Sequence, residues 1–336
     1  MKRRIILSLI VITHLVGCAS YPSPEDAQPT PGRYQSLYDG QPATVYGTQI
    51  PSESPGEAVA KGDQAARRGD LDMALWHYVQ ALEMNDSNAD VFYRVGSLHE
   101  RRDNHALAAV AYRLALRRKP NHVGANEGLG LELLRQRQYD RARDHLDRVV
   151  ARDKNRWRAQ NGLGILADLN GENGAAITHF KAALAAQPDS SMILNNLGYS
   201  LYLSGDLEGA SQAFNRAATI DPRQGHARRN LGLVYARQGA YGEAVETLAA
   251  TTERASALND VGYLAMLNGD LEEAEYLLQE ATLISPRYYV KAHENLARVD
   301  ELRNTSFRSE PAAPPRARPA LQLDDGGAGG SRASAD

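Results

Sequence analysis

The sequence predicts an all-α solenoid, and three regularities predict it. A Gly is followed twelve residues later by an Ala seven times in order, at Gly62/Ala74, Gly96/Ala108, Gly130/Ala142, Gly164/Ala176, Gly198/Ala210, Gly232/Ala244 and Gly262/Ala274. The first six glycines are 34 residues apart and the seventh follows after 30. A large apolar residue stands four positions after each Ala, at Tyr78, Tyr112, Leu146, Phe180, Phe214, Leu248 and Leu278. Three residues further on come Ala81, Ala115, Val149, Ala183, Ala217, Thr251 and Ala281, mostly small. Self-similarity at such a period marks stacked units that bury their second face only against a neighbour. The composition agrees, since 43% of residues are hydrophobic but only four are Phe, which favours closely packed small helices over a thick aromatic core.

The elements follow in chain order. Residues 1–17 read as an export leader: Lys2, Arg3 and Arg4 are basic, and Ile5 to Val16 form an apolar run too short to span a bilayer. The only Cys is Cys18, which excludes an internal disulfide or a thiolate metal cluster. Residues 18–55 are rich in Pro, Ser, Gly, Gln and Tyr without a sustained apolar period, the composition of a flexible tether. As a coil it would span about 35 Å, and stretched on the order of 120 Å. Residues 56–303 hold the repeats, each expected to place its Gly midway along one helix and its Ala along a second. The small side chains allow close crossing, and the aromatic or Leu fills the gap between repeats. Pro120, Pro188, Pro222 and Pro286 mark turns between units. Repeat six lacks four residues between Ala244 and Gly262, about one turn of its second helix or its connection, so stacking should change there. Residues 285–304, with Tyr288, Val290, Ala292, Leu296 and Val299, fit a capping helix. Residues 304–336, with Pro311, Pro314, Pro315, Pro319 and a glycine run, read as a disordered tail.

These residues resemble two known patterns. Leu15, Val16, Gly17 and Cys18 resemble the bacterial lipobox. That resemblance implies lipidation of Cys18 and, with Ala19 rather than Asp next, an outer-membrane anchor with the body in the periplasm. The 34-residue pattern resembles the tetratricopeptide repeat (TPR), which implies about seven helix-turn-helix units plus the cap, wound into a right-handed superhelix whose first helices line a groove. The register then offers Asn161, Asn195, Asn196, Arg229, Asn230, Asn259 and Asp260, three and two before each Gly, with Tyr199, Tyr202 and Tyr263 one or four after it, as a partner-binding groove. Amides donate to and accept from an extended peptide backbone, and tyrosines give rigid area with a polar tip. The alternative for each Asn is a bond between neighbouring helices.

Chemistry finds little support in the sequence. His293-Glu294 begins a zinc motif, but Ala297 stands where its second His is required. Gly162, Gly164 and Ala167 match a dinucleotide fingerprint, yet the register puts them inside a helix with no preceding strand. No catalytic residue, metal or cofactor is expected. A net charge of −3 gives no reason to expect nucleic acid. The charge is polarised: residues 113–158 carry 13 Lys/Arg against 6 Asp/Glu, whereas 243–280 carry 9 acidic residues against Arg254 alone.

A lipoprotein leader ahead of a long repeat array resembles the TadD-type lipoproteins of tight-adherence (Flp) pilus assembly. It also resembles type IV pilotins and the NlpI-like adaptors of peptidoglycan enzymes. The first resemblance implies a scaffold or pilotin for proteins of a pilus or secretion apparatus, with a secretin subunit as candidate partner. The last implies an adaptor that recruits hydrolases or proteases.

Overall fold

The computed structural model describes residues 32–40, 52–223, 225–285 and 290–305. Cys18, the leader, most of the stretch read as a tether, Pro286 and Tyr288, and the tail beyond residue 305 lie outside the described residues. Among those described there are fifteen α-helices and no strand. Seven antiparallel pairs follow one another: α1 (Pro55–Arg67) with α2 (Leu71–Met84), α3 (Ala89–Arg101) with α4 (His105–Arg118), α5 (Val123–Arg135) with α6 (Tyr139–Val150), and α7 (Trp157–Leu169) with α8 (Asn173–Ala186). Then come α9 (Ser191–Ser204) with α10 (Leu207–Ile220), α11 (Gly225–Arg237) with α12 (Tyr241–Ala249), α13 (Arg254–Asn268) with α14 (Leu271–Ile284), and the closing helix α15 (Val290–Thr305).

Each repeat is built around one fit. Every signature Ala is fully buried in the second helix. The large residue four positions later lies on the Gly of its own first helix: a Cβ added at Gly62, Gly96 or Gly164 would meet the ring of Tyr78, Tyr112 or Phe180 at 2.6 Å. The aromatic is therefore seated within the repeat as well as between repeats. Tyr112 also covers Gly128, and Leu146 covers Gly162, on the next repeat's first helix. Gly162 and Gly164 thus lie in α7 as packing seats.

The turn inside every pair needs one residue with positive φ, and it recurs in register: Gly69, Asp103, Arg137, Gly171, Gly205, Gly239 and Gly269. Left-handed backbone costs an ordinary L-residue about 1–2 kcal/mol, and Arg137 has no short side chain to offset that by local hydrogen bonding. Arg137→Gly is expected to raise unfolding free energy by about 0.5–1 kcal/mol in urea melts, the strain relieved exceeding the extra chain entropy lost.

Two features depart from a uniform stack. α12 has 9 residues where α2, α4, α8, α10 and α14 have 14, so the missing residues come out of the second helix of repeat six. The apolar core divides there: one cluster runs from Tyr34 to Val234, another from Ala236 to Val299, with half-buried Tyr235 packed against both.

The second departure concerns residues 32–40 alone within the stretch expected to be a tether. Residues 32–40 fall inside 18–55, yet they pack on repeats one and two. The ring of Tyr34 meets Phe92 edge-on at 5.2 Å, and its O–H donates to Asp86 at 2.6 Å. Leu37 is 2% exposed, and its carbonyl lies 2.8 Å from His99 Nε2. Asp39 accepts from Arg102 at 2.8 Å and from Asn104 at 2.6 Å. The physical reason is local: a short 3-10 turn over Gln35–Leu37 brings Tyr34, Leu37 and Tyr38 onto the apolar core, with Tyr34 against Phe92. Successive helical residues turn by about 100°, so Phe92 and His99 face away from the groove positions Arg94 and Ser97 on α3. The docked segment therefore packs on the face of α3 away from Arg94 and Ser97.

Candidate partner-binding surface

The first helices of the repeats carry the groove positions, and the two halves of the array use them differently. In repeats one to three they include Asp63, Arg94, Glu100 and Glu127, which are met by opposite charges. Asp63 accepts hydrogen bonds from Arg94 and from the Tyr78 O–H, which holds its carboxyl below the usual range despite partial burial. Arg158 at the start of α7 reaches across repeat three to Glu100 on α3, which also accepts from the Tyr112 O–H at 2.6 Å. Arg156 lies 3.8 Å from Glu127, whose carboxyl burial pushes up. Repeat three itself presents Gly124 and Gly128, seats for the rings of Tyr93 and Tyr112. Sequence reading did not locate this cluster, because Arg158 stands before the groove positions and its partner is two repeats away.

From repeat four onward amides replace charge. Asn196 Nδ2 donates to Asn161 Oδ1 at 3.2 Å, Asn230 to Asn195 at 2.9 Å, and Asn295 to Asn259 at 3.0 Å. Each pair joins the first helices of adjacent repeats, with α15 standing in for an eighth, and all six side chains are buried. Five of these six asparagines, all but Asn295, stand at the register positions expected to line the groove, and their amides are engaged between helices. Tyr199 and Tyr202 are buried as well, and the Arg237 guanidinium stacks on Tyr202 at 4.8 Å.

One rung of this ladder is replaced. By register Arg229 on α11 would pair with Asp260 on α13. Instead Arg229 bonds His226 at 2.9 Å, and Asp260 accepts from Asn259 at 3.1 Å. This junction follows the shortened α12, and there a cleft of about 400 Å³ opens, lined by Leu233, Asn259, Asp260, Tyr263, Leu264, Lys291, Glu294 and Asn295. Asp260, Lys291 and Glu294 are exposed, Leu233, Tyr263 and Leu264 half-buried. The lining gives an apolar floor from α11 and α13, with α15 adding polar and charged groups at the rim.

The structure therefore brings three of the ten sequence-read groove residues, Asn259, Asp260 and Tyr263, to one cavity. Leu233 stands in the same register, one position after Gly232. Lys291, Glu294 and Asn295 required knowing that α15 continues the stack. A second cavity of about 410 Å³, lined by Tyr139, Asp140, Arg143, Leu166, Leu169, Asn170 and Glu172, lies at the turn ends of repeats three and four and contains none of the ten.

Residues 59–123, 128–191 and 169–225 match the tetratricopeptide repeat family. The peroxisomal targeting signal receptor of Eremothecium gossypii is 39% identical over 110 residues, 33% of this chain and 19% of that receptor. A TPR repeat-containing protein of Methanocaldococcus jannaschii is 24% identical over 270 residues, 72% of this chain and 45% of that protein. The chain thus spans less than half the length of these relatives. Among solved structures, a tetratricopeptide repeat protein from Parabacteroides merdae superposes with a TM-score of 0.50 at 15% identity, covering 74% of this chain and all of that one. PilW, described as a widely conserved type IV pilus biogenesis factor, superposes with a TM-score of 0.52 at 20% identity, covering 60% of this chain and 97% of its own. At these identities the likeness is one of fold.

Proposed function

Because the folded body is a tetratricopeptide-repeat array, a scaffold for protein–protein interaction, we propose that the chain is a lipid-anchored scaffold or pilotin of tight-adherence type. It captures a segment of a pilus or secretion component in the cleft between α11, α13 and α15. The observation that carries this reading is that cleft: an apolar floor with exposed charges, beside the Asn259–Asn295 rung and where the Arg229–Asp260 rung is replaced. Anchoring is supported by the leader and by Cys18 in its lipobox-like setting. A pilus role is supported by the combination of leader and array, and PilW offers a pilus biogenesis factor of the same fold.

Two measurements test the parts separately. Cys18→Ala should abolish acyl labelling of the protein and move it from the membrane to the soluble fraction; retained labelling removes the anchor. A photo-crosslinker in place of Tyr263, used in living cells, should capture a secretin or pilus subunit, and deleting the gene should abolish surface pili. Capture of a peptidoglycan hydrolase or protease with piliation intact replaces the pilus reading with the adaptor reading. With the captured segment in hand, Tyr263→Ala should weaken its affinity about 10- to 100-fold by calorimetry, the loss expected for a central aromatic contact.

A further inference from the structure

The same cleft has an occupant available within the chain. Residues 306–336 follow α15, and within them Arg316 and Arg318 precede Leu321 and Leu323, with Asp324 and Asp325 immediately after. That order of basic, apolar and acidic groups complements the cleft: Asp260 and Glu294 at the rim, Leu233, Tyr263 and Leu264 on the floor, Lys291 beside them. The surrounding residues 243–280 carry nine acidic groups against one Arg, a field that attracts a basic segment.

Length fits as well. From the end of α15 at Thr305 back to Glu294 and Lys291 is about 16–21 Å along the helix. About 16 residues separate Thr305 from Leu321, and a chain of that length has coil dimensions of about 22 Å. A linker whose mean length matches its span gives an effective concentration on the order of millimolar. Phe307 and Arg308 are too close to the helix end to reach the cleft.

We propose that residues 316–323 occupy this cleft in cis, Arg316 and Arg318 against Asp260 and Glu294, Leu321 and Leu323 over Leu233, Tyr263 and Leu264. The tail is then a built-in competitor, and an outside partner enters by displacing it. It must offer the same chemistry, one or two basic residues ahead of an aliphatic pair. The occupancy itself needs no partner; its regulatory consequence rests on reading the cleft as the capture site.

The test uses the purified full chain with benzoylphenylalanine in place of Leu321, which lies outside the repeats in sequence. Irradiation at low concentration should give an internal crosslink, mapped by peptide mass spectrometry, to α11, α13 or α15 residues of the cleft. Adding Arg316→Glu and Arg318→Glu should cut its yield about fivefold, the effect expected for two rim charge pairs. Crosslinks that map only elsewhere on the array, that join two copies, or that keep their yield after charge reversal overturn the proposal. Partner capture in cells is read independently, so loss of one result leaves the other standing.

Discussion

Arg158→Ala is expected to destabilise the protein by about 2–3 kcal/mol in urea unfolding, because it strands a buried carboxylate. Glu100 is 6% exposed, and its charge is met by Arg158 and by the Tyr112 O–H. Removing one partner of a buried pair leaves the other uncompensated, at a cost of about 3–5 kcal/mol when both are fully buried. Arg158 keeps about a quarter of its side chain in solvent, which lowers the expectation. The asymmetry is the diagnostic part. Glu100→Gln leaves an acceptor for Tyr112 and releases a cation that can turn to water, so it should cost less than Arg158→Ala. The double variant should be more stable than Arg158→Ala alone. Equal costs for the two single variants would mean that the pair does not hold repeats two and four together.

That bond bears on function through what it closes. Arg158 spans the first helix of repeat three, whose own groove positions are Glu127, Gly128 and Leu131, all buried. An incoming segment would have to break the Arg158–Glu100 pair to lie there. At the other end Arg229 and Asp260 bond different partners, His226 and Asn259. Repeat arrays couple mainly neighbour to neighbour. Arg158→Ala should therefore leave affinity at the Tyr263 cleft unchanged while lowering stability, which separates a structural charge from a binding one.

The helical repeats were legible in the sequence because their determinants are local and periodic. Gly96 and Tyr112 recur in step with Gly164 and Phe180, so the seat of each ring can be counted off. The turn position was equally regular, although Asp103 and Arg137 hide it among the glycines. What the letters could not give was distance across the stack. Whether Asn195 meets a ligand or Asn230 depends on how closely α9 and α11 approach, and the structure puts their amides 2.9 Å apart. The docking of residues 32–40 left a faint trace, three apolar residues at Tyr34, Leu37 and Tyr38 in a polar stretch. Composition averaged it away. The cleft arises from a missing helical turn in α12, visible as a 30-residue interval, but only the structure says which rung that deletion opens.

The opposite sign is expected at Asp168, a groove-register residue on α7. It is 8% exposed, and no cation bonds it among the described residues; Ser200 Oγ lies 2.5 Å from Oδ2, while Oδ1 has no hydrogen-bond partner there. Burial pushes its carboxyl up to about 6, opposed only by the Ser200 hydrogen bond. The neutral acid fits better than the anion, since its proton can go to Ser200 Oγ, which then donates to the Asn196 carbonyl at 3.2 Å. With the folded value above the ordinary carboxylate range, the native state holds its proton more tightly than the unfolded chain. Ionisation therefore costs stability at neutral pH, and the cost disappears as pH falls through about 6 toward 4. Asp168→Asn should raise unfolding free energy by about 2–3 kcal/mol at pH 7.5, and the gain should shrink below pH 6 and vanish near pH 4. His77, His99, His145 and His179 are held below their usual values mainly by burial, so they lose stability on acidification and pull the other way. Comparing the variant with the parent at each pH cancels them. A difference that stays constant from pH 4 to 7.5 would show that packing, and not the charge, limits stability at this position.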